Sequence, residues 1–458
     1  RCQKWGASTI TLWQKLLLPE GKYTLTCNLW KSGLGGDAKV NIITEGGVTV
    51  RSPTLDNKEA WQTVSLDFQS NGTAATTIRL MAIHTSDGSE KLIGWDNVSI
   101  TKKEGTDTPD PFNFRLRNSL GFDRMGETVV INVPEGTSPT LCTLTDEDGN
   151  VIPFEVIGSS AIRFQASVAA GKTKGYTLAE GIPTAPEKLT YAAVKAPNSR
   201  DDIAWENDLS AYRMYSAKLL SSEPNTAQGV DVWSKKLSTP IIDDMYNLSN
   251  YHNESQYGVD AYSVNGKRLG CGGVAVVEDG HLVMHDPYNT CSITTNGALA
   301  SAFTLTYNNV KAGSATYTET ISVETQAGAL LNHGTVRLDG AAGTIRLAVA
   351  LYQHTDMSHT VGGVAFTGVP GLIGWADNKS EGSVTSTNAR FFQGAYVPAE
   401  ANPRTEVIDN HLCLTFDYTV GTEQTFYFGA GWNIFPAGSY ATDDDWFDAL
   451  ERFRDKVL

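Results

Sequence analysis

ASAFTLTYNNV (300–310) followed by ATYTETISVETQ (315–326) reads as two successive β-strands joined across a short glycine-containing turn. The same reading extends outward. GGVAVVEDGHLVM (272–284) lies upstream, and HGTVRLDG (333–340), TIRLAVALYQ (344–353), HLCLTFDYTV (411–420) and QTFYFGAGW (424–432) lie downstream. So many consecutive strands predict large sheets stacked face to face, a β-super-sandwich. No repeat of about 40–50 residues accompanies them, as propeller blades would require. Only DDDWFDALERFRDKVL (443–458) reads as a helix. Its three leading aspartates suit the positive end of the helix dipole, and Trp446, Phe447, Leu450 and Phe453 recur at three and four. The fold class is all-β.

Towards the N-terminus, residues 1–103 carry KYTLTCNLW (22–30), KVNIITEG (39–46), WQTVSLDF (61–68) and TTIRLMAIH (76–84). Apolar and polar residues alternate in these runs, the pattern of an antiparallel sandwich. The closing run LIGWDNVSI (92–100) resembles the last strand of jelly-roll carbohydrate-binding modules. That resemblance implies a jelly-roll sandwich, and a structural calcium held in part by Asp96, because a carboxylate is a suitable hard ligand. The other reading of Asp96 is a solvent-facing or turn-capping residue. KKEGTDTPDP (102–111) has nothing apolar to bury, so 104–111 is assigned as a linker. Residues 112–186 form a leading β segment, with a tight hairpin at Asp148-Gly149, and 187–458 the main region.

At 458 residues the chain exceeds one ordinary core. With 36 basic and 51 acidic residues its net charge is -15, which argues against a nucleic-acid partner. An anionic polysaccharide stays open, since a local arginine or lysine cluster binds carboxylates within an acidic protein. No apolar run reaches about 18 residues, so no transmembrane helix is expected. The six cysteines include no CxxC pair. Cys2 with Cys27 and Cys271 with Cys291 are candidate bridges, against the reading that most are buried thiols. The chain opens at Arg1 in strand-like sequence, from which removal of a leader and export are expected.

Polar and aromatic residues are densest between Ala204 and Gly273, in AWENDLSAYRMYS (204–216), GVDVWSKK (229–236) and YHNESQYGVDAYSVNGKRLGCGG (251–273). Rings cover the apolar faces of a sugar while charged groups bond its hydroxyls, so this stretch points to a saccharide site. Arg213 and Tyr215 share one strand face, with Tyr212 and Met214 opposite. Asp260 and Tyr262 share another, with Ala261 opposite. The catalytic candidates are His252, Arg213, Tyr262, Asp260 and His354. The binding candidates are Tyr215, Trp233, Tyr251, Arg268, Trp375 and His359. Arg213 would clamp a uronate carboxylate or pair with a strand neighbour. His252 has the pKa range for proton transfer near neutrality. HTDMSH (354–359) places His354, Asp356 and His359 close enough for a metal site, an acid/base partner for His252, or a solvated loop. His285 reads as a turn histidine, and Glu206 and Asp231 are further carboxylates. No Walker loop, strand-borne GxGxxG, HExxH or GxSxG occurs, and no catalytic cofactor is expected.

NDLSAYRMY (207–215), GVDVWSKK, the run from Tyr251 to Gly273 and the late GAGWNIF (429–435) together resemble domain-of-unknown-function family 4861. Its exported bacterial members are associated with polysaccharide-degrading gene sets, and its fold is similar to galactose-mutarotase-like super-sandwiches. The resemblance implies a polysaccharide or oligosaccharide partner. Lyase, glycosidase and epimerase chemistry, and non-catalytic glycan binding, all stay open, because one fold hosts many reactions.

Overall fold

The computed structural model describes residues 2–4, 8–32, 36–44, 49–55, 59–73, 75–84, 91–103, 112–195, 201–262, 264, 266–354, 362–378, 382–436 and 439–457. The chain divides into two compact units, Arg1–Pro111 and Phe112–Leu458. The linker assigned to 104–111 lies outside the described residues.

In the first unit alternation becomes a sandwich. Tyr23, Leu25, Cys27 and Leu29 of Gly21–Lys31 all point inward, with intermediate or exposed residues between them. That strand lies in a four-stranded antiparallel sheet with Cys2–Lys4, Lys91–Lys102 and Gln62–Ser70. A second sheet holds Ser8–Leu16, Thr76–His84, Gly36–Ile43 and Thr49–Arg51. Leu25, Leu29, Val40, Ile42, Leu66 and Phe68 meet between them. Asp96 is exposed, and its Oδ1 accepts the Asn97 N–H at 2.8 Å. Among the described residues no three His, Cys, Asp or Glu side chains are gathered as a metal site.

The second unit begins with two three-stranded sheets between Phe114 and Glu180, closed around Leu144, Ile162, Phe164 and Tyr176. The larger remainder stacks an eight-stranded sheet, edged by Thr290–Asn296 and Val364–Val369, against two five-stranded sheets. One of these comprises His281–Val283, Cys271–Glu278, Thr344–Tyr352, His411–Thr419 and Arg404–Ile408. The other comprises Tyr191–Lys195, Asp202–Glu206, Ser210–Met214, Asp231–Lys235 and Gly258–Tyr262. All three contribute to one core, in which Trp205 and Tyr212, Val274 and Leu347, and Phe303 and Phe428 are buried together. Trp205 stands 4.8 Å from Phe303, centroid to centroid, and donates its indole N–H to Asn332 at 3.1 Å, so the ring is buried without an orphaned donor.

Two helices matter for this architecture. The short α1 (Ile242–Tyr246) lies over the outer face of the second five-stranded sheet, where Ile242 and Met245 pack against Ala204, Ala211 and Trp233. The C-terminal α2 (Asp443–Val457) begins in a reciprocal cap: Asp445 N–H bonds the Thr442 hydroxyl, and Asp445 in turn accepts from Thr442 N. Its Trp446, Phe447, Leu450 and Phe453 are buried against Leu372, Phe392 and Tyr396. Gly394 permits that approach, since a Cβ there would fall 2.3 Å from Leu450.

Neither candidate disulfide forms. Cys27, Cys271 and Cys291 are free thiols, and only Cys291 among them is partly exposed. Cys271 bonds the Gly429 carbonyl at 3.0 Å in the interior. The cysteines therefore behave as small apolar side chains. Among the described residues no helix is long and apolar enough to cross a membrane.

Candidate functional site

Period-two alternation sorts the second five-stranded sheet into two chemistries. Ile203, Trp205, Tyr212, Met214, Val232 and Ala261 face the common core. The opposite face carries Glu206, Arg213, Asp231, Trp233, Lys235 and Asp260, all buried beneath the segment 236–257. Strand register then brings the charges together, because Arg213 pairs with Asp231 and Trp233 with Asp260.

Arg213 is 1% exposed. Its Nε donates to Asp231 Oδ2 at 2.9 Å, Nη2 bonds the same oxygen and lies 3.6 Å from Asp260 Oδ2, and Nη1 donates to the Tyr251 hydroxyl at 3.2 Å. The rings of Tyr215, Trp233 and Tyr251 surround the guanidinium at 4.7, 5.0 and 5.3 Å. Burial works against its charge, but Tyr215, Asp231 and Asp260 more than offset this and raise its pKa. Burial and the charge of Asp260 push the Asp231 carboxyl up, against the pull of Arg213. Of the two readings of Arg213, the structure displays the strand-neighbour ion pair. Trp233 is likewise a buried wall of this cluster, with no open face for a sugar.

At the rim of this network His252 Nδ1 sits 2.7 Å from Asp260 Oδ2. The aspartate is buried, while the histidine side chain keeps 48% of its surface exposed. A buried carboxylate that holds one imidazole nitrogen fixes the tautomer and leaves the other nitrogen to exchange protons. The Tyr251 ring lies 4.4 Å from the imidazole, centroid to centroid, tilted by 37°. Tyr262 ends the Gly258–Tyr262 strand beside Val232, and its side chain lies outside what is described.

A second histidine–aspartate pair stands at the end of Thr344–Tyr352. His354 Nδ1 lies 2.7 Å from Asp377 Oδ2, which also accepts the Trp375 indole N–H at 2.6 Å. His354 and Trp375 are buried, so Trp375 serves to hold Asp377 and does not present a stacking surface. Arg268 is half-buried with its guanidinium 4.9 Å over the Tyr352 ring, and His354 meets that ring edge-on at 5.3 Å. Backbone bonds join the two groups: Val230 N–H to Leu269 O at 3.0 Å, and Tyr352 N–H to Gly270 O at 2.8 Å. Asp356 and His359 lie outside the described residues.

Two other candidates are structural. Glu206 is fully buried, accepts from the N–H groups of Ile241 and Ile242, and pairs with Lys235. His285 lies in the connection between His281–Val283 and Thr290–Asn296. Its Nε2 lies 2.9 Å from the buried Glu319, and although burial opposes protonation, that carboxylate raises its pKa.

His411 is held neutral beside Arg268. Its Nδ1–H donates to Asp409 O at 2.6 Å and its Nε2 accepts the Leu269 N–H at 3.0 Å. Burial lowers its pKa to about 4. Because the unfolded value is about 6.5, the unfolded chain alone takes up a proton as pH falls below that value. The stability this neutral ring contributes is complete above pH 6.5 and is lost towards pH 4. From pH 7 to pH 5 the loss is about 2 kcal/mol by linkage. Urea unfolding at both pH values measures it, and His411→Asn should show a slope shallower by that amount.

Asp377, whose carboxylate holds His354, and Glu254, two residues beyond His252, carry no motif. Asp377 had one usable signal, its i+2 spacing from Trp375 on a strand. Glu254 had none.

The domain-of-unknown-function family DUF4861 matches residues 116–458. A protein of Formosa agariphila, "Uncharacterized protein P7", is 28% identical over 171 residues, 35% of this chain and 42% of that protein. Two solved structures from Enterococcus faecalis are similar. An α-mannosidase has 10% identity and a TM-score of 0.38, over 74% of this chain and 44% of its own. A glycosyl hydrolase family 38 protein has 8% identity and a TM-score of 0.38, over 74% of this chain and 46% of its own. This chain thus spans less than half of each of these proteins, and at such scores neither structure assigns a role to any residue of the site.

Proposed function

For a chain that belongs to the DUF4861 family across residues 116–458, we propose an exported enzyme that acts on a uronate-containing oligosaccharide by proton abstraction and elimination. The observation that carries this reading is the half-exposed His252 backed by the buried Asp260. A lyase needs a base for the proton at C5 of the uronate, and a cation to stabilise the charge that develops on its carboxylate. His252 takes the first role. Arg268 takes the second in preference to Arg213, whose guanidinium is buried and occupied by Asp231, Asp260 and Tyr251. The buried His354–Asp377 pair, joined to Arg268 through Tyr352, would hold that guanidinium in place, and the leaving oxygen would take its proton from water. Asp231 and Asp260 flank a buried guanidinium and not an open cleft, which disfavours the two-carboxylate arrangement of a glycosidase. In the N-terminal unit the exposed Trp13, beside a groove lined by Leu12, Leu16, Leu80, Val98 and Ile100, offers a ring face to a glycan.

Incubation with a panel of uronate polysaccharides and oligosaccharides tests the proposal, with absorbance followed at the wavelength of the unsaturated product. The expected result is a rise that His252→Ala lowers about 10²–10⁴-fold, the usual contribution of a general acid or base. His252 is partly exposed, so that variant should fold. Binding without any rise in absorbance would overturn the lyase reading in favour of a glycan-binding protein.

A further inference from the structure

The segment 382–386 is stitched to the residues just after His252 and to Asp260. Gly382 N–H donates to Asp260 O at 3.2 Å, Ser383 N–H donates to Asn253 Oδ1 at 3.1 Å, and Glu254 N–H donates to Ser383 O at 2.9 Å. The centre of the seam is the Glu254 carboxylate. It accepts the N–H and hydroxyl of Thr385, accepts the N–H and hydroxyl of Ser386, and pairs with Lys236 at 2.5 Å. The Glu254 side chain is 2% exposed, and although burial opposes its charge, Lys236 and Ser386 hold its pKa at about 2. Contact is close enough that a Cβ on Gly382 would fall 1.5 Å from the His252 carbonyl oxygen.

We infer that Glu254 is a positioning residue for His252: by fastening the 382–386 strap it fixes the His252 backbone against Asp260 and so sets the imidazole tautomer. A buried carboxylate with four donors from one segment, and a cation, far exceeds what a loop needs merely to stay closed. The strap touches both partners of the pair, Asp260 through its carbonyl and His252 through the Gly382 approach. His252 N–H is bonded to Asn250 Oδ1 at 3.1 Å from the other side, so the strap supplies the remaining constraint. This inference rests on His252–Asp260 being the proton-transfer pair, but its test needs no substrate.

Long-range ¹H–¹⁵N correlation on the full chain above neutral pH reads the tautomer of each histidine. In the native protein His252 should be Nδ1-protonated, and Asp260→Asn should remove that preference. Glu254→Gln and, independently, Gly382→Ala should each reproduce the loss of the Nδ1–H signal. His411, locked in its own Nδ1–H form by Asp409 O and Leu269 N, serves as the internal control and should not change. Retention of the Nδ1–H form at His252 in both variants would overturn the inference. Should Glu254→Gln also disturb His411, Ser386→Ala, which deletes one hydroxyl donor, decides by the same signal: partial loss supports the positioning role and an unchanged spectrum refutes it. A failed absorbance assay leaves this result unaffected, so the two readings fall separately.

Discussion

Lys235→Met should lower the stability of the second unit by roughly 3–5 kcal/mol, the cost of leaving a buried charge without its partner. Lys235 and Glu206 are both 0% exposed, 2.6 Å apart. The ammonium also donates to Asn207 O at 2.6 Å, and the carboxylate also takes the N–H groups of Ile241 and Ile242, each at 2.9 Å. Burial lowers the Lys235 pKa, and Glu206 opposes that shift. Methionine keeps the unbranched apolar stem without the ammonium and so abandons Glu206 in the interior at the start of α1. The double variant Glu206→Gln/Lys235→Met should recover most of the loss, since an amide still accepts from Ile241 and no charge remains. Guanidinium unfolding, read on the transition that belongs to residues 112–458, measures both. A single variant that costs less than about 1 kcal/mol would contradict a paired buried charge.

Asp260→Asn should reduce turnover about 10²–10⁴-fold on whichever uronate substrate the absorbance assay identifies. The amide is nearly isosteric, and Arg213 keeps Asp231, so the fold is retained. What is lost is the acceptor for His252 Nδ1, and with it the tautomer that leaves Nε2 basic. KM should change little. His252→Ala/Asp260→Asn should be no worse than the more damaging single change, because the two residues act as one unit. Multiplied losses in the double variant would show that they work independently.

Much of the scaffold was legible in the sequence because it depends on local periodicity. The five runs quoted from residues 22–100 all form strands, at Gly21–Lys31, Gly36–Ile43, Gln62–Ser70, Thr76–His84 and Lys91–Lys102. Helix α2 at Asp443–Val457 follows its three-and-four repeat. Ser8–Leu16 went unread; six of its eight residues from Thr9 to Leu16 are exposed, so it carries no inward alternation. Α1 went unread for a similar reason, since five residues give no helical period.

The candidate site shows where local pattern stops. Alternation placed Tyr212 and Met214 on the face opposite Arg213, and Ala261 on the face opposite Asp260, as the structure has it. It could not tell that this opposite face is itself covered. Burial of a strand face depends on what packs over it, and here the segment 236–257 folds back across the sheet. That cover turns Arg213 from a clamp open to solvent into a caged ion pair and Trp233 into a wall. Pairing was equally out of reach. Asp231 meets Arg213 through strand register, and Asp377 meets His354 across 23 residues of chain. Sequence by itself thus determined which residues share a face, because the two-residue period is set by the backbone. The tertiary structure alone decided which faces stay open and which charges meet, because burial and pairing arise between segments that only folding brings together.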